Sequence, residues 1–162
     1  MIKTTEAIRA LARNEVVFVV VGGMAIRGHG SSYLTQDLDI CYSRERANLR
    51  RIATALAPFK PRPRGFPENL PFVWDEQTLQ NGANFTLETT IGDIDLLAEV
   101  SGVGTFEQVL AESVSITLYD YEVKVLSIAG LIKAKRAAGR TKDLLVLPEL
   151  EALKEAISES EE

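Results

Sequence analysis

The chain has 162 residues, a formal net charge of −5, 46% hydrophobic residues and 25% charged residues, which suits one globular domain and excludes wholesale disorder. Mean hydropathy is +0.02, and the longest apolar run, residues 16–21, falls far short of the ~20 residues that a membrane-spanning helix needs. A single cysteine, Cys41, and a single histidine, His29, exclude a disulfide framework and a cysteine-rich zinc site.

The N-terminal stretch MIKTTEAIRALARNE is amphipathic and lacks the continuous apolar core of a signal peptide, so a cytoplasmic location is expected. Ile8, Leu11 and Ala12 follow helical spacing and predict a helix over 4–13. Residues 16–21 form a β-branched run and predict a strand buried on both faces. Gly22-Gly23 stops it, and a short helix is expected over 24–28. A second strand is expected over 38–42. Ser43 is the expected N-cap of a helix whose apolar stripe is Leu49, Ile52, Ala53 and Leu56. Residues 58–71 hold five of the six prolines and predict a loop. Strands are expected over 84–90 and, after Gly92, over 93–98. Thr105 is the expected cap of a short helix to Ala111. Residues 114–118 and 122–125 predict a hairpin turning at Tyr119-Asp120. Ser127 starts and Gly139 ends a helix. Thr141 begins a last helical stretch that Pro148 is expected to restart, with a frayed end at 158–162. This order predicts an α/β (α+β) fold, a mixed sheet flanked by helices. It is read as one domain over 1–162, with a core over about 1–126 and a C-terminal helical part over about 127–157.

Three features carry chemistry. Gly22-Gly23 lies between a strand and a helix, where the backbone can approach a ligand closely. Asp37-Leu38-Asp39 lies on the next strand, so both carboxylates face one way while Leu38 faces the core. Two such carboxylates repel each other unless a cation lies between them. Only oxygen ligands are available, which points to Mg²⁺, Mn²⁺ or Ca²⁺. Asp95, between Ile94 and Leu96, is a carboxylate in an apolar strand and needs a partner. Asp93 faces the same way. Asp95 is preferred because apolar residues enclose it more tightly. In the Ser127–Ala138 helix, Lys135 falls within the apolar stripe of Ile128, Leu131, Ile132, Ala134 and Ala138, and is read as reaching the cleft toward phosphate or a catalytic Asp. Arg140, Lys142 and Asp143 are read as an ion-pair cluster. His29 and Cys41 are read as structural, and Phe72 and Trp74 as core.

The run VGGMAIRGHGSSYLTQDLDI, the later TTIGDIDLLAEVSGVGTFEQVL and the C-terminal VKVLSIAGLIKAKRAAGRTKDLLVLPEL together resemble the DNA polymerase β-like nucleotidyltransferase superfamily, in its small stand-alone bacterial and archaeal members. The resemblance covers roughly residues 16–57 and 84–153. It implies Asp37, Asp39 and Asp95 as catalytic metal ligands for Mg²⁺ or Mn²⁺. It implies Gly22, Gly23, Ser31 or Ser32, with Lys135, near the nucleotide. Related sequences often carry Arg where Tyr33 stands here.

The activity so implied is transfer of a nucleoside monophosphate from NTP to an acceptor hydroxyl, with release of pyrophosphate. Acceptor classes are a tRNA 3′ end, a protein side chain or an aminoglycoside. Seven basic residues in 44–64 and six in 124–142 favour a polyanion, set against an overall acidic chain. The alternative is a non-catalytic, antitoxin-like or nucleotide-sensing module of the same fold. A third reading, Asp-x-Asp as a sugar-nucleotide site, leaves Gly22-Gly23 unexplained. Expected partners are NTP, a second copy through the 114–125 hairpin, or a cognate toxin–antitoxin partner, with no membrane.

Overall fold

The apolar run that follows α1 (Thr4–Arg13) contains β1 (Phe18–Val21), whose four residues are all buried. A computed structural model describes residues 1–33 and 35–161 of the chain. From β1 the backbone turns directly into α2 (Gly22–Gly28), then returns as β2 (Asp37–Tyr42). Next come α3 (Arg46–Leu56), a 3₁₀ turn over Ala57–Phe59, β3 (Arg62–Pro63) and α4 (Glu76–Asn81). β4 (Phe85–Thr89) and β5 (Gly92–Leu97) form a tight antiparallel pair. The remainder is β6 (Glu99–Val100), β7 (Gly104–Thr105), α5 (Phe106–Ala111), β8 (Ser113–Leu118), β9 (Tyr121–Leu126), α6 (Ile128–Ala138) and α7 (Thr141–Glu161).

Seven strands make one mixed sheet in the order β3-β4-β5-β2-β1-β9-β8, and β6 and β7 make a separate pair. β2 runs antiparallel to β1 and parallel to β5, while β1 runs parallel to β9. The central strands bury Val19, Val20, Leu38, Ile40, Ile94 and Leu96 completely, each worth roughly 2 kcal/mol on leaving water. Helices join in two contact chains, α1 with α3 and α3 with α4, then α2 with α6 and α6 with α7. No helix among the described residues is long and apolar enough to cross a membrane.

Local chemistry explains most boundaries. Thr105 and Gln108 form a reciprocal capping box at α5. Ser127 Oγ accepts from the Gly130 N–H at 3.0 Å, and Gly139 closes α6 with φ +65°. Tyr119 and Asp120 both adopt positive φ, as a two-residue hairpin turn of the right hand requires.

Several expectations need correction. Ser43 does not cap α3, which begins at Arg46 with Glu45 at the N-cap position. Ser43 is buried instead, and its Oγ accepts from the Glu45 N–H at 3.3 Å. The organising residue there is Asn48, 2% exposed, which ties Val17 to Ser43. Its Oδ1 accepts from the Val17 N–H at 2.7 Å, and its Nδ2 donates to the carbonyls of Val17 at 3.0 Å and Ser43 at 2.8 Å. Pro148 does not restart a helix. α7 passes through it, because the one backbone donor lost there would have served Leu144, which is 49% exposed and open to water. The α7 helix continues to Glu161, and Glu162 lies outside the described residues. The proline-rich segment contains β3, and α4, β6 and β7 are additions to the expected elements.

Candidate active site

The site follows from register. Asp39 pairs across β2 and β5 with Asp95, and Asp37 with Asp93. Alternation places all four carboxylates on one face, since Leu38 and Ile94 turn the other way into the core. One oxygen from each of Asp37, Asp39 and Asp95 lies within 4.8 Å of the others. Asp93 turns outward and is held by Arg64, whose Nε lies 3.1 Å from Asp93 Oδ2. Arg64 Nη2 donates to Asp95 Oδ1 at 2.8 Å.

Crowding of like charge has the expected electrostatic effect. Burial, then the charges of Asp95 and Asp37, push the Asp39 carboxyl up to about 7. Asp37 is also raised, first by burial and then by Asp95. Asp39 Oδ1 is buried without a hydrogen-bond partner. A hard divalent cation fits this donor set: three carboxylates converge, one carries an orphaned buried oxygen, and nitrogen and sulfur ligands are absent from the cluster.

Gly22 and Gly23 make room for this geometry. Gly22 has φ +65°, and a Cβ there would overlap Asp39 Oδ2. A Cβ on Gly23 would sit 2.8 Å from Thr35 Oγ1. The two glycines border two cavities that meet at Asp39. One, of about 310 Å³, is lined by Gly23, Tyr33, Thr35, Asp37, Asp39 and Lys142 with Lys135 and Arg140. The other, of about 280 Å³, is mixed: Leu97, Val100, Leu131 and Ala134 line it beside Gly22, and so do Asn84, Glu99, Lys135, Arg140 and Asp143. Larger grooves of about 570 Å³ beside Arg136 and about 760 Å³ beside Trp74 lie away from the three carboxylates.

Lys135 reaches the cleft and pairs with Asp143, Nζ to Oδ1 at 3.1 Å. Asp143 is fully buried. It also accepts from Arg140 Nε at 2.6 Å, and these hydrogen bonds, Arg140's first, hold its carboxyl down at about 2. Lys142 lines the cleft and takes no part in that cluster. Ser31 Oγ donates to Glu149 Oε1 at 2.5 Å and accepts from the Tyr33 N–H at 3.0 Å, while Ser32 is exposed. Neither serine lines either cavity. His29 Nε2 lies 2.9 Å from the Leu126 carbonyl oxygen. Trp74 donates to the Ala53 carbonyl at 2.9 Å, and Phe72 meets Phe66 at 5.9 Å. Burial pushes the Cys41 thiol up to about 12, so it stays protonated and inert.

Most of the basic stretch 44–64 is consumed internally. Arg46 and Arg50 pair with Glu76, Arg44 donates to the carbonyls of Leu79 and Gln80, and Arg62 to those of Pro67 and Leu70. Arg64 is the site residue that sequence reasoning missed. It follows directly on the two-residue β3, and so short a strand leaves no periodic signal for it in the sequence.

Strand–Gly-Gly–helix, Asp-x-Asp and a third acid on the neighbouring parallel strand define the nucleotidyltransferase fold, and solved structures share it. No family profile and no curated protein matches the chain. ANT(2″)-Ia in complex with adenylyl-2″-tobramycin matches at 15% identity and TM-score 0.54, over 98% of this chain and 97% of that one. A Thermotoga maritima protein provisionally assigned as a nucleotidyltransferase matches at 14% identity and TM-score 0.51, over 98% and 96%. An antigenic nucleotidyltransferase-like protein from Paracoccidioides brasiliensis matches at 12% identity and TM-score 0.53, over 93% and 74%. At these identities the likeness is one of fold.

Proposed function

We propose that this chain is a cation-dependent nucleotidyltransferase that moves a nucleoside monophosphate from NTP to an acceptor hydroxyl. The observation that carries this reading is the convergence of Asp37, Asp39 and Asp95, with Asp39 Oδ1 buried and unpartnered beside it. Mg²⁺ or Mn²⁺, held by these three carboxylates, would supply neutralisation of phosphate charge. The chain's own groups do the rest. Thr35, Lys142 and the cleft-facing Lys135 line the polar cavity and suit a triphosphate. The second cavity at Asp39, with Leu97, Val100, Leu131 and Ala134 beside Asn84 and Glu99, suits a less charged portion of a substrate than the triphosphate. Asp95 receives the proton of the acceptor hydroxyl as its oxygen attacks the α-phosphorus. The bond from that phosphorus to the bridging oxygen breaks, and pyrophosphate departs with the electron pair.

Pairing of Arg44, Arg46, Arg50, Arg62 and Arg64 within the chain weakens the argument for a polyanionic acceptor, with Arg46 and Arg50 still exposed beside Glu76. A small hydroxyl compound or a protein side chain is the favoured acceptor, and the neighbour bound to adenylyl-2″-tobramycin supports a small molecule on this fold. A second reading, nucleotide sensing without turnover, is favoured by one observation: an arginine occupies one oxygen of Asp95.

The test is a transfer assay with Mg²⁺ or Mn²⁺ and each labelled NTP, offering total protein, total RNA and an aminoglycoside mixture as separate acceptors. Label that appears in one pool and is lost in Asp37→Asn/Asp39→Asn supports transfer and names the acceptor class. NTP binding without label in any pool supports the sensing reading. Absence of NTP binding refutes both.

A further inference from the structure

We infer that Arg64 is a positioning residue for this reaction, one that holds Asp95 in place; the inference rests on the nucleotidyltransferase reading above. The residues themselves argue for it. Asp93 and Asp95 stand two apart on β5, face the same way and are chemically identical. Register separates them, Asp95 opposite Asp39 and Asp93 opposite Asp37, and one guanidinium bridges both, Nε to Asp93 Oδ2 at 3.1 Å and Nη2 to Asp95 Oδ1 at 2.8 Å.

The fork is held from behind. Nη2 also donates to the Leu87 carbonyl at 3.1 Å, and the Arg64 N–H donates to the Thr86 carbonyl at 2.8 Å. Pro63 pairs with Leu87 in the sheet. The guanidinium is thereby aimed by backbone on one side, and lysine could not reproduce its planar fork. Asp95 spends one oxygen on Arg64 and keeps the other for cation and acceptor.

Arg64 therefore has two effects of opposite sign. Its geometry orients Asp95, which favours turnover. Its charge sits against the acid cluster, which opposes binding of a divalent cation.

The experiment compares wild type with Arg64→Gln and Arg64→Lys, using Mn²⁺ alone as the binding probe by titration calorimetry and the acceptor found in the transfer assay for kinetics. Arg64→Gln is expected to bind Mn²⁺ about three- to tenfold more tightly. Its kcat is expected to fall about 10- to 100-fold with KM for NTP within about twofold. Arg64→Lys should keep wild-type Mn²⁺ affinity with kcat between the two. Tighter binding with slower turnover supports positioning, because a merely structural role moves both downward together with Tm. Unchanged kcat, or joint loss of affinity, kcat and Tm, overturns the inference while wild-type transfer still stands. A wild-type protein that neither binds Mn²⁺ nor transfers label overturns the functional reading, and this one with it.

Discussion

Asp39→Asn should make the cation-free protein more stable at neutral pH, although it removes a central site residue. Burial together with the charges of Asp95 and Asp37 raises the Asp39 carboxyl from 3.8 to about 7. A raised carboxylate acts against folding: the penalty is absent below the unfolded value, grows as pH climbs from about 4 to about 7 and is complete above that. The full shift corresponds to roughly 4 kcal/mol. Asparagine removes the charge but also ends any proton sharing with Asp95, so about 2 kcal/mol is the expected gain, or a Tm rise of roughly 4–8 °C for a domain of this size. Thermal unfolding followed by circular dichroism in chelator, at about pH 4 and about pH 8, measures it. Millimolar Mg²⁺ should then raise the Tm of wild type more than that of the variant. No rise at the higher pH, or an equal rise at both, would refute the electrostatic account.

Asp143→Asn should cost about 2–3 kcal/mol, because it strips the buried carboxylate from Lys135 and Arg140, with most of the loss on the Lys135 side since Arg140 is largely exposed. Asp143 is held at about 2, below its ordinary 3.8. Its stabilisation is therefore present above about pH 4 and is lost as pH falls toward 2, so the variant and wild type should converge in acid. Asn48→Ala should cost roughly 1–3 kcal/mol in urea unfolding, since it leaves the buried Ser43 carbonyl and the part-buried Val17 N–H without their Asn48 partner, while the Val17 carbonyl keeps the Ser43 N–H. Gly22→Ala places a methyl group against Asp39 at positive φ, and should lower stability by about 1–3 kcal/mol and weaken Mn²⁺ binding measured by calorimetry.

Elements governed by nearby residues are legible in the amino-acid sequence itself. Ser127 and Gly139 bound α6 because a hydroxyl and a left-handed glycine satisfy the helix ends locally. The Asp37-Leu38-Asp39 alternation shows two carboxylates on one face without any partner strand in view. Asp95 requires more, since its place opposite Asp39 is a fact of sheet order, and local sequence does not distinguish it from Asp93. Arg64 is hidden for the same reason: a two-residue edge strand has almost no periodicity, and its register against β4 comes from the partner. Asn48 looks like one more polar residue on a helix, because its bonds run to Val17, far back in the chain. Charge runs mislead in the other direction. A count of arginines does not reveal that Glu76 and backbone carbonyls already engage them.

Two antiparallel strand pairs meet in the middle of the sheet. One is β1 with β2, and the other is the tight β4–β5 hairpin. Their junction is the β2–β5 pairing, and that same step brings Asp39 opposite Asp95. Repulsion between Asp37 and Asp39 is already present within β2, and the junction adds the charge of Asp95 to it. Where the junction closes after the folding transition state, this strain leaves the folding rate nearly untouched and is expressed as faster unfolding. Any cation that relieves it acts as a kinetic clasp on the finished sheet, lengthening the life of the native state more than it hastens its formation.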